Sequence, residues 1–493
     1  MKNFWNTLFP TASRFPNARR SNDDLSAEAL TRCVLILGNP SSGKTFWMAK
    51  HIVDYAKAFP DRPIFSLDVK GSLTRLVMTL VLLEPPDIRE ALIKRLRLDA
   101  LGHPDYVLPT PEFSPRYEIP MEDQVQRVVK NLTRLNPELV EQNPTMGKMP
   151  ITEAGPNFFN LLTHIKNEFG ETWQITEAKK LIMQEEGRKV LVKKYGGNIP
   201  DVKWYFENFF DQLTKGEAYK KTSALISVLG AVEPRTTRAK LGYFKPAWTP
   251  KDAIEKGLIV LVDGSGLANH ETSRDYLFMQ AYSLIKAEID TRIPDDPKDK
   301  PVSLFMDEVT SILRIPSMAP EIASIPSQNR SRKLQLYIAL QELNQVSKEL
   351  QPSIWQCGNV ICFSVGNYDD ALVLAKQLFP YDAGAIKFTP KTDVQQPVAE
   401  VATGQQIELA NKIQRLKHRE CLIRYYTTER DLDKYIHWVP RTGDVNITDV
   451  NVWELRERLL KEHGVEVRTA LKEINERKLP GNEKAQVTER PTT

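Results

Sequence analysis

Residues 31–59 read TRCVLILGNPSSGKTFWMAKHIVDYAKAF, and the fold turns on this stretch. The run at 31–37 is apolar and β-branched enough for a strand buried on both faces, while the segment after Thr45 places its apolar residues at helical spacing. Between them, Gly38-Asn39-Pro40-Ser41-Ser42-Gly43-Lys44-Thr45 fits G-x-x-x-x-G-K-[ST] in the strand-to-helix setting that gives the pattern its meaning. The glycines let the backbone curl so that amide N–H groups and the helix N-terminus face an anion. Gly38 to Thr45 are therefore the candidate phosphate-binding residues, with Lys44 set against the β- and γ-phosphates and the Thr45 hydroxyl on Mg2+.

Working outward, RPIFSLD at 62–68 is a second buried strand, so strand, helix and strand form a βαβ unit and imply a parallel sheet. From 85 to 220 the texture changes to long charged helical stretches such as EDQVQRVVKNLTRL and TEAKKLIMQEEGRKVLVKKY, with few strand-like runs. Strands resume at LIVLVD (258–263), VSLFMD (302–307), LQLYIAL (334–340) and NVICFSV (359–365). The expected architecture is an α/β, RecA-like P-loop core with a mostly parallel sheet and an inserted all-α domain. In chain order it comprises an N-terminal docking segment (1–27), a first stretch of the core (28–84), the insertion (85–220), a second stretch of the core (221–440), and a C-terminal helix with a flexible tail (441–493).

Composition narrows the class. The 493 residues are 41% hydrophobic and 26% charged, an ordinary globular balance with enough chain for about two or three domains. A net charge of +4 is too small for non-specific coating of nucleic acid, so any nucleic-acid contact must be a local patch. The four cysteines form no C-x-x-C pair and the seven histidines no H-E-x-x-H, so reduced thiols in a cytoplasm and no protein-ligated structural metal are expected. The most apolar run, 73–83, falls short of the roughly 20 residues a bilayer span needs. The N-terminal MKNFWNTLFPTASRF, with Phe4, Trp5, Leu8 and Phe9, reads as a docking or packing segment ahead of a membrane-surface anchor.

A phosphate loop alone does not hydrolyse anything. The second requirement is an acidic pair at a strand end, and Asp307-Glu308 supplies it: Asp307 to hold the magnesium, Glu308 to polarise the attacking water. Gln341 ends the strand LQLYIAL, where an amide can read the γ-phosphate or serve as a plain strand-end hydrogen-bonding residue. Arg330 and Arg332 precede that strand, where a guanidinium can reach a neighbouring subunit's phosphate or form a solvated basic turn.

These pieces, in order, resemble the FtsK/HerA superfamily of ring-forming RecA-like motors, and within it the conjugative coupling proteins of type IV secretion, the TraG/TraD class. The resemblance covers about residues 30 to 430. It rests on GNPSSGKT, LDVKGSL from Leu67, the helical stretch, GLIVLVDGSGL, FMDEVTSILRIPSM from Phe305, NRSRKLQLYIALQELNQV from Asn329 and ICFSVGNYDDALVLAKQL from Ile361. It implies an ATPase using ATP and Mg2+, with Lys44, Glu308, Gln341 and Arg330 as catalytic groups and Thr45 and Asp307 on the metal. Asp68 and Lys70 match the family's D-x-K-G element and are assigned to nucleotide sensing. Arg330 matches the trans-acting finger, although the glycine expected shortly after it is missing, and Arg332 is the alternative.

The resemblance further implies a hexameric homo-oligomer that passes DNA through its pore, with relaxosome or secretion-channel proteins as partners. The family's transmembrane helices have no counterpart here, so a cytoplasmic protein is expected that meets the inner face of the membrane only through a partner or the N-terminal segment. The segments after Gly264 and around Lys240 are the candidates for pore contacts. Rival readings are a HerA-like DNA-processing translocase, a protein-cargo secretion ATPase and a nucleotide-gated adaptor with little turnover; Glu308 argues against the adaptor, which needs no water-activating carboxylate.

Overall fold

The computed structural model describes residues 18–21, 32–135, 150–166, 170–308, 310–315, 318–328, 330–349, 351–379, 386–389, 396–399, 402–425, 434–440 and 451–479. Most of the expected N-terminal docking segment and the tail beyond 479 lie outside them.

The strands, in chain order, are β1 (Ala18–Ser21), β2 (Val34–Leu37), β3 (Ile64–Asp68), β4 (Leu96–Ala100), β5 (Tyr106–Val107), β6 (Ile259–Asp263), β7 (Val302–Asp307), β8 (Leu334–Leu340), β9 (Asn359–Cys362), β10 (Ile386–Thr389), β11 (Gln396–Ala399), β12 (Cys421–Tyr425), β13 (Lys434–Trp438) and β14 (Val465–Glu466). Ten of them form one sheet in the order β1-β13-β12-β9-β2-β8-β7-β3-β6-β4. The seven from β9 to β4 run parallel, and β12 turns the sheet antiparallel beyond β9.

The central strands read as unbroken apolar runs because both faces of the sheet are covered. Alternate residues serve opposite sides. Val34, Ile36, Ile64, Ile259, Phe305 and Tyr337 pack under the helices Lys44–Ala58, Ser72–Leu83, Pro86–Arg95 and Val452–His463. Leu35, Leu37, Phe65, Leu67, Val260 and Met306 join a second core that continues into the helices Met121–Leu135, Ile151–His164, Lys215–Leu229 and Glu271–Asp290. The helical unit therefore shares its apolar core with the sheet instead of forming a separate bundle.

Three local expectations change. Leu96–Ala100, inside the span read as helical from residue 85, is the edge strand of the main sheet beside β6. Arg97 and Asp99 hide it in the sequence. The second change explains the first: Lys240, expected near the pore, is buried with its Nζ 2.6 Å from Asp99 Oδ2 and 2.8 Å from the Leu108 carbonyl. A buried carboxylate needs such a partner, so Lys240 is internal structure. The stretch TEAKKLIMQEEGRKVLVKKY also breaks, at Gln184, into the helices Ala178–Met183 and Glu185–Tyr195. Among the described residues no helix is long and apolar enough to cross a membrane.

Candidate nucleotide site

In a parallel sheet of this kind the functional groups gather at the carboxyl ends of the strands, and here β2, β8, β7, β3 and β6 deliver theirs side by side. Leaving β2, the chain curls tightly: Ser41 has φ 59° and Gly43 φ 117°. A Cβ on Gly43 would stand 2.8 Å from Arg419 Cα, and one on Gly38 would stand 2.5 Å from Phe363 Cβ. Both glycines are thus required by close approach as well as by the turn. Asn39 braces the loop from the far side, its N–H donating to the Ser364 carbonyl at 2.8 Å and its Oδ1 accepting from Gly366 N–H at 2.6 Å.

Lys44 folds back over this loop and donates to the Gly38 and Asn39 carbonyls at 2.5 and 2.8 Å. Burial brings its pKa down to about 8, against the attraction of Asp307 and Glu308. The Ser42 hydroxyl is buried without a hydrogen-bond partner. An orphaned donor and a half-desolvated ammonium inside a curled backbone suit an oxyanion ligand. The Thr45 hydroxyl donates to Asp307 Oδ2 at 3.0 Å, so the first helix turn and the end of β7 already meet. Burial pushes the Asp307 carboxyl up, with the Thr45 bond pulling the other way. A hydroxyl and a carboxylate oxygen are hard donors of the kind Mg2+ takes, so this pair fits the metal expected here.

Glu308 follows in the left-handed region, φ 51°, its N–H donating to Asp307 Oδ1 at 3.1 Å. Its Oε1 lies 2.6 Å from Lys70 Nζ. Lys70 sits on the turn after β3, and Asp68 organises that turn by accepting from the N–H groups of Lys70, Gly71 and Thr74 at 3.2, 2.9 and 2.8 Å. Burial drives the Asp68 carboxyl up to about 7, against those backbone donors and with help from Asp307 and Asp263. Asp263, ending β6, accepts from Ser265 N–H at 3.0 Å and from Arg456 of the C-terminal helix at 2.6 Å.

Strand β8 lies between β2 and β7, so Gln341, the residue after it, stands between the phosphate loop and the acidic pair. Its N–H donates to Gln345 Oε1 at 3.0 Å. Arg330 and Arg332 are at the opposite end of β8, roughly 20 Å away by strand rise. Arg330 is exposed, whereas Arg332 pairs with Asp290 at 2.8 Å. Neither reaches its own phosphate loop.

Arg419 is a member of the site that no sequence motif announces. Its N–H donates to the Ser42 carbonyl at 2.8 Å, its φ is 63°, and its guanidinium covers the Phe46 ring at 4.1 Å. Nothing local in LKHREC marks it, because long-range folding brings it to the loop.

Phosphate loop, interposed strand and acidic pair in this order define a RecA-like P-loop nucleotide-binding fold carrying a helical insertion. No protein-family model and no curated protein matches the sequence. Solved structures do. The bacterial conjugative coupling protein TrwB, in an unbound form lacking its N-terminal part, aligns over 87% of this chain and 90% of its own with a TM-score of 0.51 at 12% identity. Its trigonal form in complex with sulphate gives 87%, 91%, 0.50 and 14%. The fold of a conjugative coupling protein, expected from the resemblance, is the fold this chain has.

Proposed function

We propose that the chain is an ATP-hydrolysing motor that assembles into a ring, a hexamer by analogy, and drives DNA or nucleoprotein toward a type IV secretion channel. The observation that carries the reading is the Thr45–Asp307 contact, which joins the phosphate loop to the acidic strand across β8. Similarity to a protein described as a conjugative coupling protein supports the choice of cargo and machinery.

In this reading Lys44 leaves the loop carbonyls for the β- and γ-phosphates, with Gly38 to Thr45 supplying N–H donors around them. Thr45 and Asp307 hold Mg2+, which neutralises charge building on the phosphates. Glu308 takes a proton from the attacking water, and Gln341 registers the γ-phosphate. Arg330 enters a neighbouring subunit's site, since it cannot reach its own. The helical unit between β5 and β6 recognises cargo, and the N-terminal segment or a partner supplies any membrane contact for an otherwise cytoplasmic protein.

The test is phosphate release from ATP and Mg2+ at low salt, with and without DNA. DNA should raise turnover, and the rise should vanish steeply with added salt because pore contacts would be Lys or Arg to phosphate. Turnover without any DNA effect would move the reading to protein cargo. No turnover under any condition would favour a nucleotide-gated adaptor.

A further inference from the structure

We infer that Lys70 is a positioning residue that holds Glu308 turned away from the nucleotide in the resting protein and releases it when the turn after β6 moves. The inference rests on Glu308 being the water-activating carboxylate of the proposed ATPase.

The two neighbouring acids at the end of β7 face different ways. Asp307 Oδ2 meets Thr45, on the side of β8 and β2, whereas Glu308 Oε1 meets Lys70, on the side of β3. The left-handed backbone at Glu308, an uncommon state for a residue with a side chain, makes this divergence possible. A carboxylate oxygen that accepts from an ammonium at 2.6 Å is engaged and held on the β3 side, so it is not placed to take a proton from a water at the phosphate loop. The Lys70 side chain is 62% exposed, so the pair is weak enough for binding events to break.

The turn that carries Lys70 cannot move alone. Gly71 packs against the turn after β6 so closely that a Cβ would fall 2.6 Å from Asp263 Oδ1 and 3.0 Å from Ser265. Gly264 N–H donates to the Asp68 carbonyl at 2.9 Å. Between the two turns opens a cavity of about 490 Å³ lined by Lys70, Glu308, Ser265, Arg274 and Arg314, which gives Lys70 somewhere to swing. The segment after Gly264 is a candidate for pore contacts with DNA, so a shift there reaches Glu308 through Asp68, Gly71 and Lys70.

The experiment measures kcat and KM for ATP, with and without DNA, in the wild type, Lys70→Met, Lys70→Arg, Glu308→Gln and the double variant Lys70→Met/Glu308→Gln. Lys70→Met should raise unstimulated kcat about fivefold, the population released by losing a half-exposed ion pair, with KM unchanged and DNA stimulation correspondingly reduced. Lys70→Arg should keep the wild-type pattern. A fall in kcat in Lys70→Met would overturn the inference and make Lys70 a direct aid to turnover, and unchanged kcat would overturn it as well. The double variant should match Glu308→Gln alone. If Glu308→Gln turns over like wild type, the assignment of Glu308 has failed, an outcome distinct from failure of the Lys70 restraint.

Discussion

Raising the pH from 7 to 9 should weaken nucleotide binding about tenfold, and Lys44 is the cause. In the free protein its ammonium is enclosed by the loop it serves, on the Gly38 and Asn39 carbonyls, and burial brings its pKa to about 8. Such a group is about nine-tenths charged at pH 7 and about one-tenth at pH 9. A polyphosphate beside it holds the proton far above that range, so above pH 8 binding must take up a proton. The dissociation constant then rises by the ratio of charged fractions, about tenfold or about 1.4 kcal/mol. Fluorescence titration with a non-hydrolysable Mg2+ nucleotide at fixed ionic strength reads it directly. Lys44→Met should bind weakly at every pH, with no slope. An unchanged wild-type affinity between pH 7 and 9, or an equal slope in Lys44→Met, would refute the reasoning.

Two further predictions concern assembly and proton linkage. Arg330→Ala should lower turnover about 10²-fold or more while nucleotide affinity holds, and wild-type turnover should depend on protein concentration; Arg332→Ala should do less because Arg332 is engaged with Asp290 in its own chain. The reverse ranking would transfer the finger to Arg332. Asp68 has a folded-state pKa near 7, above the ordinary carboxylate value, so the folded protein holds its proton more tightly than the unfolded chain. Its contribution to stability is whole below pH 4 and is lost as pH rises to 7, at up to about 1.4 kcal/mol per pH unit. Denaturant unfolding of Asp68→Asn between pH 5 and 7 should show a shallower decline than wild type; identical slopes would refute the assignment.

Much of the core was legible because its strands are buried on both faces and so stand out as apolar runs; β2, β3, β6, β7, β8 and β9 all read this way. The phosphate loop and the acidic pair were equally open, since each is contiguous in the chain. What stayed hidden depends on long-range pairing. β4 carries Asp99, out of place in a core until Lys240 arrives from 141 positions away to neutralise it. β12 and β13 are short and carry Arg424 and Lys434; β12 joins the sheet by antiparallel pairing beyond β9, and β13 lies antiparallel to β12 and parallel to β1. Arg419 beneath the phosphate loop belongs to the same class, an ordinary basic residue until tertiary structure gives it a neighbour; Lys70 was marked by the D-x-K-G match, but its pairing with Glu308 was not.

The most direct test of the central claim is the behaviour of Glu308→Gln with ATP and Mg2+. The substitution keeps the shape and removes the base, so the variant should bind nucleotide as the wild type does while releasing phosphate more slowly by about 10²-fold or more. Binding and single-turnover phosphate release measured on the same preparation give both quantities. Turnover equal to wild type would contradict the account, because the carboxylate at the end of β7 would then have no part in the chemistry assigned to it.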